Sequence, residues 1–102
     1  MVRTGLMALA ALAGAQAFAQ PASFPKVDPM DVASCDVEGG WMTVFNAYAT
    51  ALYEAMDANR IVDPLATELS VWYLQQQNRI IATNDLKGVC LDTIAMRRQH
   101  GF

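Results

Sequence analysis

Trp41, Phe45, Tyr48, Leu52 and Met56 recur at spacings of four, three, four and four, and Thr43, Asn46, Thr50, Glu54 and Asp57 recur at three, four, four and three. A strand would return to the same face at every second residue, whereas a helix does so about every 3.6 residues. The two stripes are therefore opposite sides of one amphipathic helix. Gly39-Gly40 marks its irregular entry and Asn59 to Asp63 its exit. A helix with one wide apolar stripe is not stable alone and needs other apolar elements to lie against.

The rest of the chain offers helices. Asp63-Pro64 reads as a cap followed by a first helical proline, after which Leu65, Leu69, Trp72 and Tyr73 form an apolar face, with Val71 and Leu74 alongside. Gln75 to Arg79 are five polar residues in a row before Ile80-Ile81 resumes the pattern. A helix that runs through them must hold a polar side chain on its buried face, and Gln76, four residues from both Trp72 and Ile80, lies on that line. Thr83-Asn84-Asp85 then clusters capping side chains ahead of Leu86, Val89, Cys90, Leu91, Ile94 and Met96. Gly88 should weaken this third helix by about 1 kcal/mol relative to alanine. Arg97, Arg98, His100 and Gly101 complement and stop its negative end. Upstream, Asp28-Pro29-Met30-Asp31 predicts a short helical turn with Asp28 as its cap. The expected fold is all-α: a small three-helix bundle over 28–102, opened by one short N-terminal turn.

A core of this size is marginal without a staple. Cys35, just before the first long helix, and Cys90, within the third, supply one if they pair. The loop so closed is roughly 55 residues, for which chain entropy gives about 4 kcal/mol. The alternative is a reactive thiol, but the sequence has no Cys-x-x-Cys, and Lys87 is the only basic residue near either cysteine.

Pairing needs an oxidising compartment, and the N-terminus predicts one. Arg3 precedes the uncharged Leu6–Ala15 stretch of leucine, methionine and alanine, and Ala17-Phe18-Ala19 then places small residues where a signal peptidase reads. Residues 1–19 are expected to be a cleaved secretory signal, with Ala15-Gln16-Ala17 a second acceptable site. The apolar stretch is about half the length a membrane-spanning helix needs, so no stable membrane anchor is expected after cleavage. The mature protein is expected to be periplasmic or secreted. Residues 20–27, with two prolines and no apolar period, should be a flexible lead-in. Val32-Ala33-Ser34-Cys35 has the look of a lipoprotein box, but charges and prolines separate it from the apolar segment.

Seven Lys and Arg stand against ten Asp and Glu, and Arg3 would leave with the signal. An acidic mature chain is a poor partner for nucleic acid or anionic membrane. One histidine and two cysteines cannot build a zinc cage, so neither a metal nor a cofactor is expected. His100 lies near the C-terminus with no serine placed by spacing to reach it, and it reads as a charge complement to the helix end rather than a general base. Glu54 and Asp57 share a helix face with Thr and Asn, which reads as wetted surface rather than as an acid–base pair. Arg79, Arg97 and Arg98 read as separate surface charges. No catalytic residue is assigned, and the chain is not expected to be an enzyme.

Six aromatic residues fall between Trp41 and Tyr73. Most must fill the core. Tyr53, however, is off the main stripe, and the adjacent Trp72 and Tyr73 cannot both follow one direction. Together with the hydrogen-bonding groups of Gln76 and Arg79, these three compose the anchor and rim of a candidate partner-binding surface. The function expected is a small exported module that docks non-covalently onto another envelope protein, as an inhibitor, immunity factor or accessory subunit. In outline (exported, helical, of this size, held by one disulfide) the chain is also similar to the small periplasmic acid-stress chaperones. That resemblance implies an alternative role as a holdase at acid pH, in which Cys35 and Cys90 keep their structural part.

Overall fold

The computed structural model describes residues 24–102, so the expected signal over 1–19 and the first residues of the lead-in lie outside the described residues. Among the described residues the chain forms a 3-10 turn, Val32–Asp36, and three helices: α1, Gly40–Asp57; α2, Leu65–Thr83; and α3, Leu86–His100. None of the three is long and apolar enough to cross a membrane.

The entrance is organised around polar caps and two glycines. The Asp28 carboxylate accepts from the Met30 N–H at 2.9 Å, and its carbonyl accepts from the buried Ser34 hydroxyl. Asp28 therefore closes a turn of its own instead of capping the helical segment. Asp31 is the cap of the 3-10 turn, accepting from Ala33 N–H at 2.9 Å. Gly39 has φ +74°, a left-handed conformation that favours glycine. Gly40 serves a different need, since a Cβ there would run into the Ser34 carbonyl oxygen. Residues 24–27 carry no regular structure but are tethered to α1, with Thr43 Oγ1 donating to the Pro25 carbonyl at 2.7 Å.

Asn59, with φ 59°, turns the chain out of α1, and Ile61 folds back into the core at 6% exposure. The Asp63 carboxylate holds the start of α2 by accepting from both the N–H and the hydroxyl of Thr67. The helix then runs unbroken through Gln75–Arg79, and Gln76 is buried. Asn84, φ 55°, makes the tight corner into α3. There Asp85 caps by accepting from Gly88 N–H at 3.0 Å. Gly101, φ 72°, ends α3, and the N–H groups of Gly101 and Phe102 both donate to the Arg97 carbonyl.

The α1 and α2 helices are antiparallel: the Phe45 ring stacks on Tyr73 at 4.3 Å, and the Tyr48 hydroxyl donates to the Leu69 carbonyl at 2.7 Å. α3 lies along the other side of α1. Val44, Cys90 and Ile94 form one apolar cluster there, and Tyr48, Leu52, Ala55, Ile61, Ala66 and Leu69 form the second. The Cys35–Cys90 disulfide, with Cα atoms 5.7 Å apart, ties the 3-10 turn to α3 beside the first cluster.

Of the stripe residues that periodicity sends to the core, Phe45, Tyr48, Leu52, Leu69, Val89 and Ile94 are buried, but Trp41, Trp72 and Ile80 are only half-buried. Their helices have a neighbour on one flank and solvent on the other. Val44, Ala55, Ile61 and Ala66, with no place in the stripes, are also buried in the interior.

Candidate functional site

Because α3 covers only one flank of the α1–α2 pair, the other flank is an open groove. Its wider end is a cavity of about 540 Å³ between the first half of α1 and the last half of α2, bounded by Phe24, Trp41, Met42, Phe45, Ile80 and Ile81. A second hollow of about 290 Å³ continues it toward the other end, between Leu52, Tyr53 and Met56 on α1 and Ser70 and Leu74 on α2. Tyr73 borders both hollows. Among the described residues, Asn46, Gln77 and Asn78 contribute the only amide side chains, and no Asp, Glu, Lys or Arg lines either hollow.

The floor is rigid. Tyr73 is stacked flat on Phe45 on one side and lies nearly parallel to Tyr48, 5.5 Å away, on the other. Burial pushes the Tyr73 hydroxyl above its ordinary range, partly offset by a hydrogen bond to Gln77. Tyr48 is completely buried, and its pKa is pushed up to about 12 by the same desolvation. The rims are apolar and exposed, with Tyr53 at 73%, Leu74 at 55% and Ile81 at 84%. Large exposed side chains of this kind, gathered on one face, mark interaction surfaces.

The five candidate partner-binding residues divide between two places. Tyr53 and Tyr73 belong to the groove. Trp72 is on the other side of α2, packed on Tyr48 with ring centroids 5.3 Å apart. Gln76 is buried and accepts from Arg79 Nη1 at 3.2 Å. Arg79 in turn reaches Asp92 at 2.6 Å and Asp85 at 2.8 Å. These hydrogen bonds, Asp92's first, hold the Arg79 cation above its usual range, and the Arg79 contact holds the Asp85 carboxyl below its own. Gln76 and Arg79 thus belong to a polar tie between α2 and α3.

Leu74 and Ile81, which periodicity sets beside the apolar face of α2, carry a further signal. With Ser70 and Gln77 they make a second stripe on α2, beside the line through Leu69, Trp72, Gln76 and Ile80. Two stripes on one helix exceed what a single neighbour covers.

The remaining candidates stand apart from the groove. Arg97 Nε donates to the Phe102 carbonyl, with its guanidinium 5.8 Å from the Phe102 ring centroid, and Arg98 donates to the Met30 carbonyl. The three arginines therefore do not form one patch. Glu54 and Asp57 are exposed, and His100 lies in the last turn of α3. Both cysteines are used in the disulfide. Among the described residues no three His, Cys, Asp or Glu side chains gather as a metal site would require. Compared with models of known protein families, with curated proteins and with solved structures, the chain matches none.

Proposed function

We propose that the protein is a small exported binding module that docks non-covalently onto another envelope protein, presenting the α1–α2 groove to it. The observation that carries this reading is the groove itself: an aromatic floor, exposed apolar rims at Tyr53, Leu74 and Ile81, and no charge along either hollow. An uncharged trough between two antiparallel helices suits the apolar face of a partner's helix, with Asn46, Gln77 and Asn78 available to fix its register. The disulfide and the absence, among the described residues, of a helix able to cross a membrane are compatible with work outside the cytoplasm.

A photo-activatable cross-linker at Leu74 in intact cells, followed by mass spectrometry, tests the reading. One envelope protein should be captured in stoichiometric yield. Tyr53→Ala combined with Ile81→Ala should abolish the capture while leaving the melting temperature nearly unchanged, because both side chains are mostly solvated. Native protein that carries no such partner and instead suppresses acid aggregation of unrelated proteins would replace this reading with the chaperone.

A further inference from the structure

The exposed apolar groups of the α1–α2 face stand on both rims of the trough, Tyr53 on α1 and Leu74 and Ile81 on α2. A surface two helices wide covers both rims at once. We propose that this face is covered by a second copy of the chain whenever no other protein occupies it. Two α1–α2 pairs then pack face to face into a four-helix layer, and a partner must displace the copy.

Three observations support a second copy. The first is charge. The chain is acidic overall, with ten Asp and Glu against seven Lys and Arg, so two copies carry like net charge and repel one another weakly. Among the described residues lining the two hollows there is no Asp, Glu, Lys, Arg or His.

The second is area. An 18-residue α1 is about 27 Å long, and two helices about 10 Å apart give a projected face of roughly 500 Å² before corrugation. Corrugated by side chains, such a face approaches the roughly 800 Å² per partner of a stable interface.

The third is shape. Ala49, the smallest side chain on the α1 border of the groove, is near the middle of α1. A two-fold axis there crosses α1 on its copy where the backbones can approach, and brings Tyr53 and Met56 of each copy over the Met42 end of the other.

The proposal uses the same face as the partner-binding reading but does not depend on it. Sedimentation equilibrium of the disulfide-intact protein over a wide concentration range should give twice the chain mass at high concentration and one chain mass on dilution. Added salt should strengthen the association, because the repulsion it screens lies outside the face. Tyr53→Lys with Leu74→Lys should weaken association by roughly thirtyfold or more. Gln75→Lys, at an exposed position of α2 that lines neither hollow, should leave it unchanged. In the unsubstituted chain, oxidative footprinting should find Met42 and Met56 protected at high concentration and reactive on dilution. A monomer at every concentration overturns the proposal, as does concentration-independent reactivity of both methionines, or a Gln75→Lys effect as large as that of the Lys pair. The two readings fail separately. A monomer that still cross-links to another envelope protein through Leu74 loses only the second copy, and a dimer that cross-links only to itself loses only the partner.

Discussion

Tyr48 concentrates more of this structure's physics than any other residue. Its ring is fully buried between Trp72, Tyr73 and Phe102, and its hydroxyl spans from α1 to the Leu69 carbonyl on α2. Desolvation raises its pKa from 10.0 to about 12, so the folded state holds a proton that the unfolded chain releases sooner. The stability that follows is fully present below pH 10 and is lost as pH rises toward about 12. At neutral pH, Tyr48→Phe should cost about 1 kcal/mol for the lost hydrogen bond. Between pH 10 and 12 the gap between wild type and variant should shrink, because only the wild type carries this burden. Urea midpoints measured in parallel from neutral to alkaline pH test it, and a constant gap would show that the hydroxyl titrates as it does in water.

At the scale of elements, the corner between α2 and α3 shows how side-chain contacts offset a local preference. Helix propensity alone says that Gly88→Ala should stabilise α3 by about 1 kcal/mol. In the folded chain a Cβ at Gly88 would strike the Asp85 carboxylate and come within 2.6 Å of Arg79 Nη2. The side chain that caps α3 and the guanidinium that ties it to α2 would both have to move. Shifting the exposed ends of the Asp85 and Arg79 side chains weakens the cap and the tie and offsets the propensity gain, so Gly88→Ala should leave the stability nearly unchanged in chemical denaturation instead of raising it by about 1 kcal/mol. The same corner explains what could be read in advance. The three helices and the buried Gln76 were legible because stripes and caps are local. Arg79 was not, because its role depends on Asp85 and Asp92 arriving from the next helix. Trp41, Trp72 and Ile80 were expected in the interior because periodicity gives a side chain's direction around its own helix, and the neighbour that covers it is settled only by packing. Tyr53 and Tyr73 were found for the groove by their misfit to one stripe. Leu74 and Ile81 have the same misfit, but alternate apolar positions on a helix already rich in them look like more core.

At the scale of the whole molecule, the distribution of covalent and non-covalent support predicts how the bundle comes apart. The 3-10 turn and the start of α1 meet α3 through a small cluster, Val44, Cys90 and Ile94, joined by Met30, Cys35 and Trp41 at its edge. Around it the polar links are few: Lys87 to Asp36 at 2.7 Å, largely exposed and therefore weak, and Arg98 to the Met30 carbonyl. The larger cluster about Tyr48 and Leu69 has six buried members and holds α1, α2 and the end of α3 together without the cysteines. Removing the 55-residue constraint between Cys35 and Cys90 should therefore cost about 4 kcal/mol through the unfolded chain. The structure lost first should be the 3-10 turn. Cys35→Ala with Cys90→Ala should lower the denaturation midpoint sharply while far-ultraviolet circular dichroism at low temperature stays close to that of the parent. Amide exchange should accelerate most at Ser34 and Val37, whose N–H groups are bonded within this entrance, and least around Leu69. Uniform acceleration along all three helices would instead mean that the disulfide holds a single cooperative core, and that the Tyr48 cluster cannot stand without it.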